Sequence, residues 1–248
     1  MKTEKAVAGD RALFLNFANR ISPQINRKVH LLASFIEKEK GEGILEIVPT
    51  YRSLCIYYDP LRLPLKDLKT RLCQIEHELE RAKKTPPARV LEIPVVYGGE
   101  YGPDLSFVAS SLGLSEEEVI QIHSGRDYLI YMCGFSPGFS YLGGLDERIV
   151  TPRLKTPRVR VPAGSVGIAE EQTGIYPLES AGGWRLIGRT PLKLFDPYKD
   201  PPIPFVPGDY FRFIPISEEE YQKKLEKVRR GDYKILIHDS QQGSFSCI

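Results

Sequence analysis

Glycine and proline are unusually dense in the second half of the chain. From Gly134 to Pro191, sixteen of 58 residues are Gly or Pro. Helices of ordinary length do not tolerate that density, because glycine costs about 1 kcal/mol and proline about 3 kcal/mol in a helix interior. Short apolar runs stand between these breakers and continue beyond them, which is typical of strands joined by tight turns. The second half is therefore predicted to be an all-β barrel or sandwich, with strands at 165–169, 184–187, 192–195 and 210–214.

The first half alternates strand and helix patterns instead. Apolar residues alternate over 11–18, and the runs at 44–48 and 52–58 are predicted to form a hairpin. One helix is predicted to begin after Ser22-Pro23, and a second carries an apolar stripe from Leu65 to Ala82. The order βαββα is that of a ferredoxin-like α/β domain, so the whole chain is predicted to be α+β.

A proline pair separates the two halves. Thr85-Pro86-Pro87 cannot continue a helix and is the best candidate for a linker. We therefore expect a ferredoxin-like domain over 1–86 and a β-barrel domain over 87–238, with 89–97 as the first strand of the barrel domain. Residues 1–10 and 239–248 show no periodic pattern and are expected to be loose termini.

Capping residues indicate short helices within the second half. Asp104 is a candidate N-cap, and Ser115 and Ser217 each have a glutamate three residues later, which is the pattern of a capping box. Strands are predicted at 127–133 and 233–238. His123 falls at a predicted helix end, where it can stabilise the helix dipole.

Composition excludes several classes of protein. Lys and Arg number 34 against 32 acidic residues, so the net charge of +2 does not suggest a partner among nucleic acids or membrane surfaces. The four cysteines form no CxxC pair. We expect reduced thiols, a cytoplasmic location and no metal site.

One motif resembles that of serine hydrolases. Gly134-Phe135-Ser136-Pro137-Gly138 matches GxSxG after a predicted strand. However, Pro137 has no backbone N–H to donate to an oxyanion hole, and the residues that follow do not begin a helix. Ser136 is therefore predicted to be a turn or binding residue rather than a nucleophile, and no catalytic acid or base is identified.

Arginines and aromatic residues indicate a binding site. From Arg148 to Ala169 there are five basic residues and no acid, and prolines stiffen the segments that carry them. The guanidinium fork suits a carboxylate or a phosphate, although a solvated edge with internal ion pairs is the alternative. Tyr176 and Trp184 stand beside glycines, where aromatic residues line a pocket or plug a barrel corner.

Long ordered blocks resemble a known family. They are VVYGGEYGPDL (95–105), YMCGFSPGFSYLGGLD (131–146), TPRLKTPRVRVPAGSVGIAEEQTGIYP (151–177) and GGWRLIGRTPLKLFDP (182–197). They resemble the family that includes the B subunit of 5-oxoprolinase, the sporulation histidine-kinase inhibitor of bacilli and allophanate hydrolase subunit 1. The resemblance implies a cyclophilin-like β-barrel after a small α/β domain, in a cytoplasmic bacterial protein.

The resemblance also implies an activity and partners. The oxoprolinase opens 5-oxoproline to L-glutamate with ATP hydrolysis, together with a sister subunit of related barrel architecture and a third subunit. Since the chain has no GxxxxGK[ST] or GxGxxG motif, we expect ATP to be shared with or bound by a partner, and the isolated chain to be inactive. The alternatives are a module that inhibits a histidine kinase and a subunit of the allophanate hydrolase or urea carboxylase type.

A small carboxylate substrate would need rigid arginines. The expected anion-binding residues are Arg153, Arg158, Arg160 and Arg189, and the expected pocket-lining residues are Ser136, Gln172, Tyr176 and Trp184. Arg158 and Arg160 lie two residues apart, so in a strand their side chains share one face, which we expect to point into a barrel pocket.

Overall fold

The computed structural model describes residues 3–81 and 88–239. Contacts divide the chain into two compact units between residues 86 and 87. The predicted linker at Thr85-Pro86-Pro87 and the predicted loose tail from residue 240 onward lie outside the described residues. Across the described ranges, no helix is both long and apolar enough to cross a membrane.

The first unit is one antiparallel sheet with two helices. Its strands lie in the order β1-β2-β4-β3, and its helices are amphipathic; the elements are β1 (Glu4–Ala8), β2 (Ala12–Asn16), α1 (Pro23–Lys38), β3 (Ile44–Pro49), β4 (Ser53–Tyr58) and α2 (Leu65–Arg81). The helix stripes and the alternating residues of β2 meet in one apolar core, for example at Leu13, Val29 and Leu72. The predicted order βαββα is present, while the ferredoxin-like assignment stays a prediction.

The prediction of a loose N-terminus was wrong for residues 4–8. These residues form the edge strand β1, which pairs with β2 from Glu4↔Asn16 to Ala8↔Ala12. The Oγ1 of Thr3 donates a hydrogen bond to Glu76 on α2, and Lys5 forms an ion pair with the same carboxylate at 2.9 Å. The strand shows no periodic signal because its residues at the sheet edge are partly or fully exposed and none is buried.

The second unit contains a closed barrel. Its elements are β5 (Arg89–Tyr97), α3 (Leu105–Leu112), α4 (Glu116–Ser124), β6 (Asp127–Cys133), β7 (Ser140–Gly143), a 3₁₀ turn (Glu147–Ile149), β8 (Arg158–Val161), β9 (Ser165–Ala169), β10 (Gln172–Ile175), β11 (Ser180–Gly182), β12 (Arg185–Arg189), β13 (Tyr210–Pro215), α5 (Glu218–Arg230) and β14 (Ile237–Asp239). Among these described strands, seven follow each other in the order β12-β9-β10-β7-β6-β13-β5, and β12 pairs with β5 to close the ring. The prediction of a β-barrel is confirmed, and its cyclophilin-like class stays a prediction.

Three short strands lie outside this ring. Among the described strands, β8 pairs with β11 alone, and the two form a separate sheet. β14 adds to the edge of β5 at residues 89–91 and is shorter than the predicted strand 233–238. The predicted strand at 192–195 was wrong: Leu192 and Leu194 are buried against the barrel core, but the segment has no strand assignment. Its alternation reflects packing, not strand pairing.

Candidate functional site

Trp184 packs against the barrel wall. It lies just before β12 and is 5% exposed. A Cβ added to Gly174 of β10 would stand 2.9 Å from Trp184 Cζ3, and one added to Gly167 of β9 would stand 3.1 Å from Trp184 Cβ. The two glycines therefore leave the space that the indole side chain fills. Trp184 belongs to a second apolar cluster that includes Ala169 of β9 and is separate from the barrel core.

Aromatic rings surround this tryptophan. The ring of Phe139 lies 5.6 Å from Trp184 and 5.3 Å from Tyr176, both edge-on, which is a favoured aromatic geometry. Tyr176 is 2% exposed, so it and Trp184 form packed core rather than an open pocket wall. Burial also raises the pKa of Tyr176. Gln172 lies at the start of β10 opposite Ala169, which belongs to the same cluster.

The GxSxG segment is a tight turn at the edge of this cluster. Phe135 has a left-handed φ of 66°, which is uncommon for a bulky residue, and its ring contacts Phe139 at 5.5 Å while remaining 65% exposed. The N–H of Ser136 donates to Gly134 O at 2.7 Å, and Ser136 O accepts from Phe139 N at 3.0 Å. The strand β7 follows the turn, not the helix that a nucleophile elbow requires.

Arginines lie beside the aromatic cluster. The guanidinium carbon of Arg153 is 5.9 Å from the centroid of Trp184. Arg158 Nη2 donates to Asp104 Oδ1 at 2.8 Å, and its Nη1 reaches Trp184 O at 3.5 Å. Arg185 Nη1 lies 3.9 Å from the same Asp104 oxygen. The structure therefore brings three arginines to one place; we call Asp104, Phe107, Arg158 and Arg185 the Asp104 cluster.

The other two predicted arginines lie elsewhere. Arg160 forms an ion pair with Glu179 at 2.7 Å, and its side chain is 76% exposed. Arg189 lies with its guanidinium carbon 5.4 Å from the ring of Tyr101, and its Nε is buried without a hydrogen-bond partner. The expectation that Arg158 and Arg160 together face a barrel pocket was wrong, because β8 is not a barrel strand and the two arginines bind different carboxylates.

The barrel core holds a buried polar chain around His123. The side chain is fully buried, with Nδ1 2.8 Å from Tyr97 Oη and Nε2 2.9 Å from Thr173 Oγ1. Thr173 donates its only hydroxyl proton to Gly167 O, so it accepts from His123 Nε2–H, and Tyr97 donates to Nδ1. Burial lowers the pKa of His123 to about 3. It is therefore a neutral core residue and does not stabilise the helix dipole as a cation.

A polar groove lies near the C-terminus of α4. Ser124, Gly125, Arg126, Asp127, Gly144 and Arg212 line it. Arg126 and Arg148 both bind Asp146, and Arg212 binds Asp127 through two hydrogen bonds of 2.6 and 2.8 Å. Hydrogen bonds from Arg148, together with the charge of Arg126, lower the pKa of Asp146. None of the residues that line this groove is aromatic, whereas the Asp104 cluster places two arginines beside the exposed ring of Phe107. The Asp104 cluster is therefore the better candidate site.

Comparison with known families identifies the chain's relatives. The family described as carboxyltransferase domain, subdomain C and D, matches residues 3–205, which is most of the chain. The chain belongs to this carboxyltransferase-domain family. The matched region contains both the aromatic cluster and the Asp104 cluster.

Individual members of the family agree with this assignment. The 5-oxoprolinase B subunit of Bacillus subtilis is 43% identical over 233 residues, covering 88% of this chain and 95% of the relative. The 5-oxoprolinase B subunit of Escherichia coli O157:H7 is 48% identical over 177 residues, covering 71% and 80%. The solved urea amidolyase of K. lactis superposes with a TM-score of 0.77 at 22% identity, covering 95% of this chain and 16% of that one, so the two share the fold.

Sequence reasoning missed three members of the candidate site. Asp104 was interpreted only as an N-cap; it occupies that position, but its side chain makes no cap hydrogen bond. Arg185 and Phe107 were not singled out. The one usable signal was the position of Arg185 directly after Trp184 in the block 182–197. The contacts of Arg158 and Arg185 with Asp104 could not be predicted from the sequence, since they join positions more than fifty residues apart.

Proposed function

We propose that this chain is a subunit of an ATP-dependent 5-oxoprolinase, which opens 5-oxoproline to L-glutamate together with partner subunits. One observation carries the proposal: identity to the 5-oxoprolinase B subunit of Bacillus subtilis runs over 95% of that relative's length. Nearly every part of that relative therefore has a counterpart in this chain. Because that relative is itself one subunit of an enzyme, it supports at least one partner for this chain.

The proposed reaction needs activation of an amide. Hydrolysis of an unstrained lactam is slow. We propose that ATP transfers its γ-phosphoryl group to the amide oxygen and leaves as ADP. Water then adds to the activated carbon, the ring C–N bond breaks, and inorganic phosphate leaves to give L-glutamate. The chain has no glycine-rich phosphate loop, so we propose that a partner binds ATP or shares its site. Because ATP is consumed, we expect the complex to work in the cytoplasm.

The candidate residues remain proposals within this function. We propose that Arg158 contacts the substrate and that Arg153 adds positive charge beside Trp184. In this proposal Tyr176 and Trp184 pack behind the arginines that contact the substrate, and Ser136 and Gln172 lie at the edge of the substrate-binding surface. Roles for Arg160 and Arg189, a third subunit, and the kinase-inhibitor and allophanate hydrolase or urea carboxylase alternatives stay predictions.

Glutamate formation tests the proposal. The chain would be assayed with 5-oxoproline and ATP in the presence of the partner subunits from the same source. We expect glutamate only in the assembled complex. If the complex forms no glutamate while the partners are shown to bind this chain, the proposed function is wrong.

A further inference from the structure

Asp104 is a buried carboxylate with an unusual set of contacts. It is 6% exposed, and its Oδ2 accepts the N–H of Leu186 at 2.7 Å, while its own N–H donates to Leu186 O at 2.9 Å. The remaining oxygen, Oδ1, faces the guanidinium groups of Arg158 at 2.8 Å and Arg185 at 3.9 Å. The carboxylate is therefore fixed by the backbone of β12 and cannot turn away from the arginines.

The charge of this cluster is not balanced. Two guanidinium groups face one carboxylate, which leaves one positive charge of the cluster uncompensated, and the guanidinium carbon of Arg153 lies 5.9 Å from the ring centroid of Trp184. Each guanidinium group has five N–H donors in a planar fork. Arg158 uses one short hydrogen bond to Asp104 and one long contact of 3.5 Å to Trp184 O. Its side chain is 30% exposed, so donors remain accessible.

Arg185 is held in a fixed plane. Its guanidinium carbon lies 3.8 Å from the ring centroid of Phe107, and its Nε reaches Pro152 O at 3.4 Å. Stacking on an aromatic face orients the guanidinium group while leaving its edge free for hydrogen bonds. Phe107 is itself 45% exposed in the first turn of α3. An exposed aromatic ring beside a fixed arginine is suited to a small ligand with an apolar side and an anionic group.

We propose that Arg158 and Arg185 together bind the carboxylate of a small ligand, with Phe107 against its apolar side and Asp104 as the positioning residue that holds both guanidinium groups. The identity of the ligand as 5-oxoproline rests on the proposed function. A phosphate group would be attracted by the same donors, so the experiment compares the two oxyanions.

Binding to the full chain tests the site without requiring turnover. Ligand-detected NMR titrations would use L-5-oxoproline and, separately, inorganic phosphate. We expect Arg158→Met and Arg185→Met to weaken 5-oxoproline binding by about 10- to 100-fold, since each removes a charge-assisted hydrogen bond. Arg230→Met is the matched control, because that arginine forms an exposed pair with Glu226 on α5, and it should change Kd less than twofold.

Asp104→Asn separates positioning from simple charge neutralisation. If Asp104 only neutralised the arginines, the variant would bind anions more tightly. The positioning role predicts weaker binding, by about 3- to 10-fold, and predicts that this effect disappears when Arg158 and Arg185 are both Met. Tighter binding, or an unchanged effect in that background, would overturn the role of Asp104.

The outcomes distinguish the two proposals. If the parent chain binds no 5-oxoproline, or if Arg158→Met and Arg185→Met bind it as well as the parent, the site is wrong even where the complex is active. If phosphate binds through the arginines and 5-oxoproline does not, the carboxylate assignment is wrong.

Should Arg158→Met misfold, Arg185→Met decides the question. The contact between Arg185 and Asp104 is the longer of the two, so its loss leaves the Arg158–Asp104 pair intact. Trp184 fluorescence checks folding. If the parent chain binds its partner subunits but the assembled complex is inactive, that result counts against the proposed function and not against the binding site.

Discussion

At the residue scale, the GxSxG turn shows that a motif depends on its backbone. Pro137 has no N–H for an oxyanion hole, and the backbone of Ser136 is used by contacts with Gly134 and Phe139. A strand follows the turn where a nucleophile elbow needs a helix. Ser136 is thus part of a turn that leaves Phe135 exposed. The segment matches the sequence pattern of a hydrolase motif but does not have its backbone geometry.

We expect Ser136→Ala to retain most of the activity of the assembled complex. A covalent nucleophile would lose on the order of a million-fold in kcat. The measurement is the rate of glutamate formation by complexes that carry the parent or the variant chain, with labelling by a fluorophosphonate probe as a second readout. Labelling of Ser136, or near-complete loss of rate in a folded variant, would contradict this account.

His123 makes the stability of the protein depend on pH. Its folded pKa of about 3 is below its ordinary value of 6.5, so the unfolded chain binds a proton that the folded chain does not. Its contribution is complete above pH 6.5 and is lost progressively as pH falls from 6.5 toward 3. Tyr97, Tyr128, Thr173 and Phe213 surround the ring, and none is an acid that would hold the proton.

We expect His123→Leu to flatten the pH dependence of unfolding between pH 6.5 and about 4.5, while lowering stability at pH 7. Urea denaturation across that range measures both effects. Tyr97→Phe is the control: it removes one hydrogen bond, worth about 1 kcal/mol, but leaves the imidazole buried, so the slope should persist. An unchanged slope in His123→Leu would show that other groups control acid sensitivity.

At the element scale, capping and apolar periodicity predicted the helices well. Ser22 accepts a hydrogen bond from Ile25 N, and capping boxes at Ser115 and Ser217 are present as predicted. These signals are local, since donor and acceptor lie three residues apart. Alternation of apolar residues indicates which side chains are buried, not which backbone segments pair. The strand β1 was therefore missed although it pairs with β2, and the segment 192–195 was predicted as a strand although only its burial is real.

The strands β9 and β10 depend on glycine where Trp184 packs. We expect Gly174→Ala to displace the indole, because the new Cβ would stand 2.9 Å from Trp184 Cζ3 and 3.0 Å from Ser140 O. The cost should be about 1 to 3 kcal/mol of unfolding free energy.

Tryptophan fluorescence measures this directly, since Trp184 is the sole tryptophan. A shift of its emission to longer wavelength is expected with the lost stability. Gly134→Ala is the matched control, because its Cβ would meet Met132 Cε at an ordinary 3.4 Å, and it should change stability by less than about 0.5 kcal/mol. Equal behaviour of the two variants would show that the close packing is not required.

At the scale of the whole molecule, the sequence predicted an arginine-rich binding surface but not its composition. The pairing of Arg158 with Asp104 joins residues 54 positions apart, and Asp104 reaches Leu186 across 82 positions. No local pattern reports such contacts. Closure of the barrel brings β12 to β5 and so sets Arg185 and Asp104 side by side. Arg160 lacks this environment, although it shares a strand with Arg158.

We propose that the activity of this chain requires partner subunits, because its relatives are named as B subunits of 5-oxoprolinase. The central claim is that this chain completes a 5-oxoprolinase and does not act alone. Glutamate release from 5-oxoproline and ATP tests it most directly, measured for the chain alone, for its partner subunits alone, and for the assembled complex. The account predicts ATP-dependent glutamate from the complex and none from either part. No glutamate from a verified complex, or robust turnover by this chain alone, would contradict it.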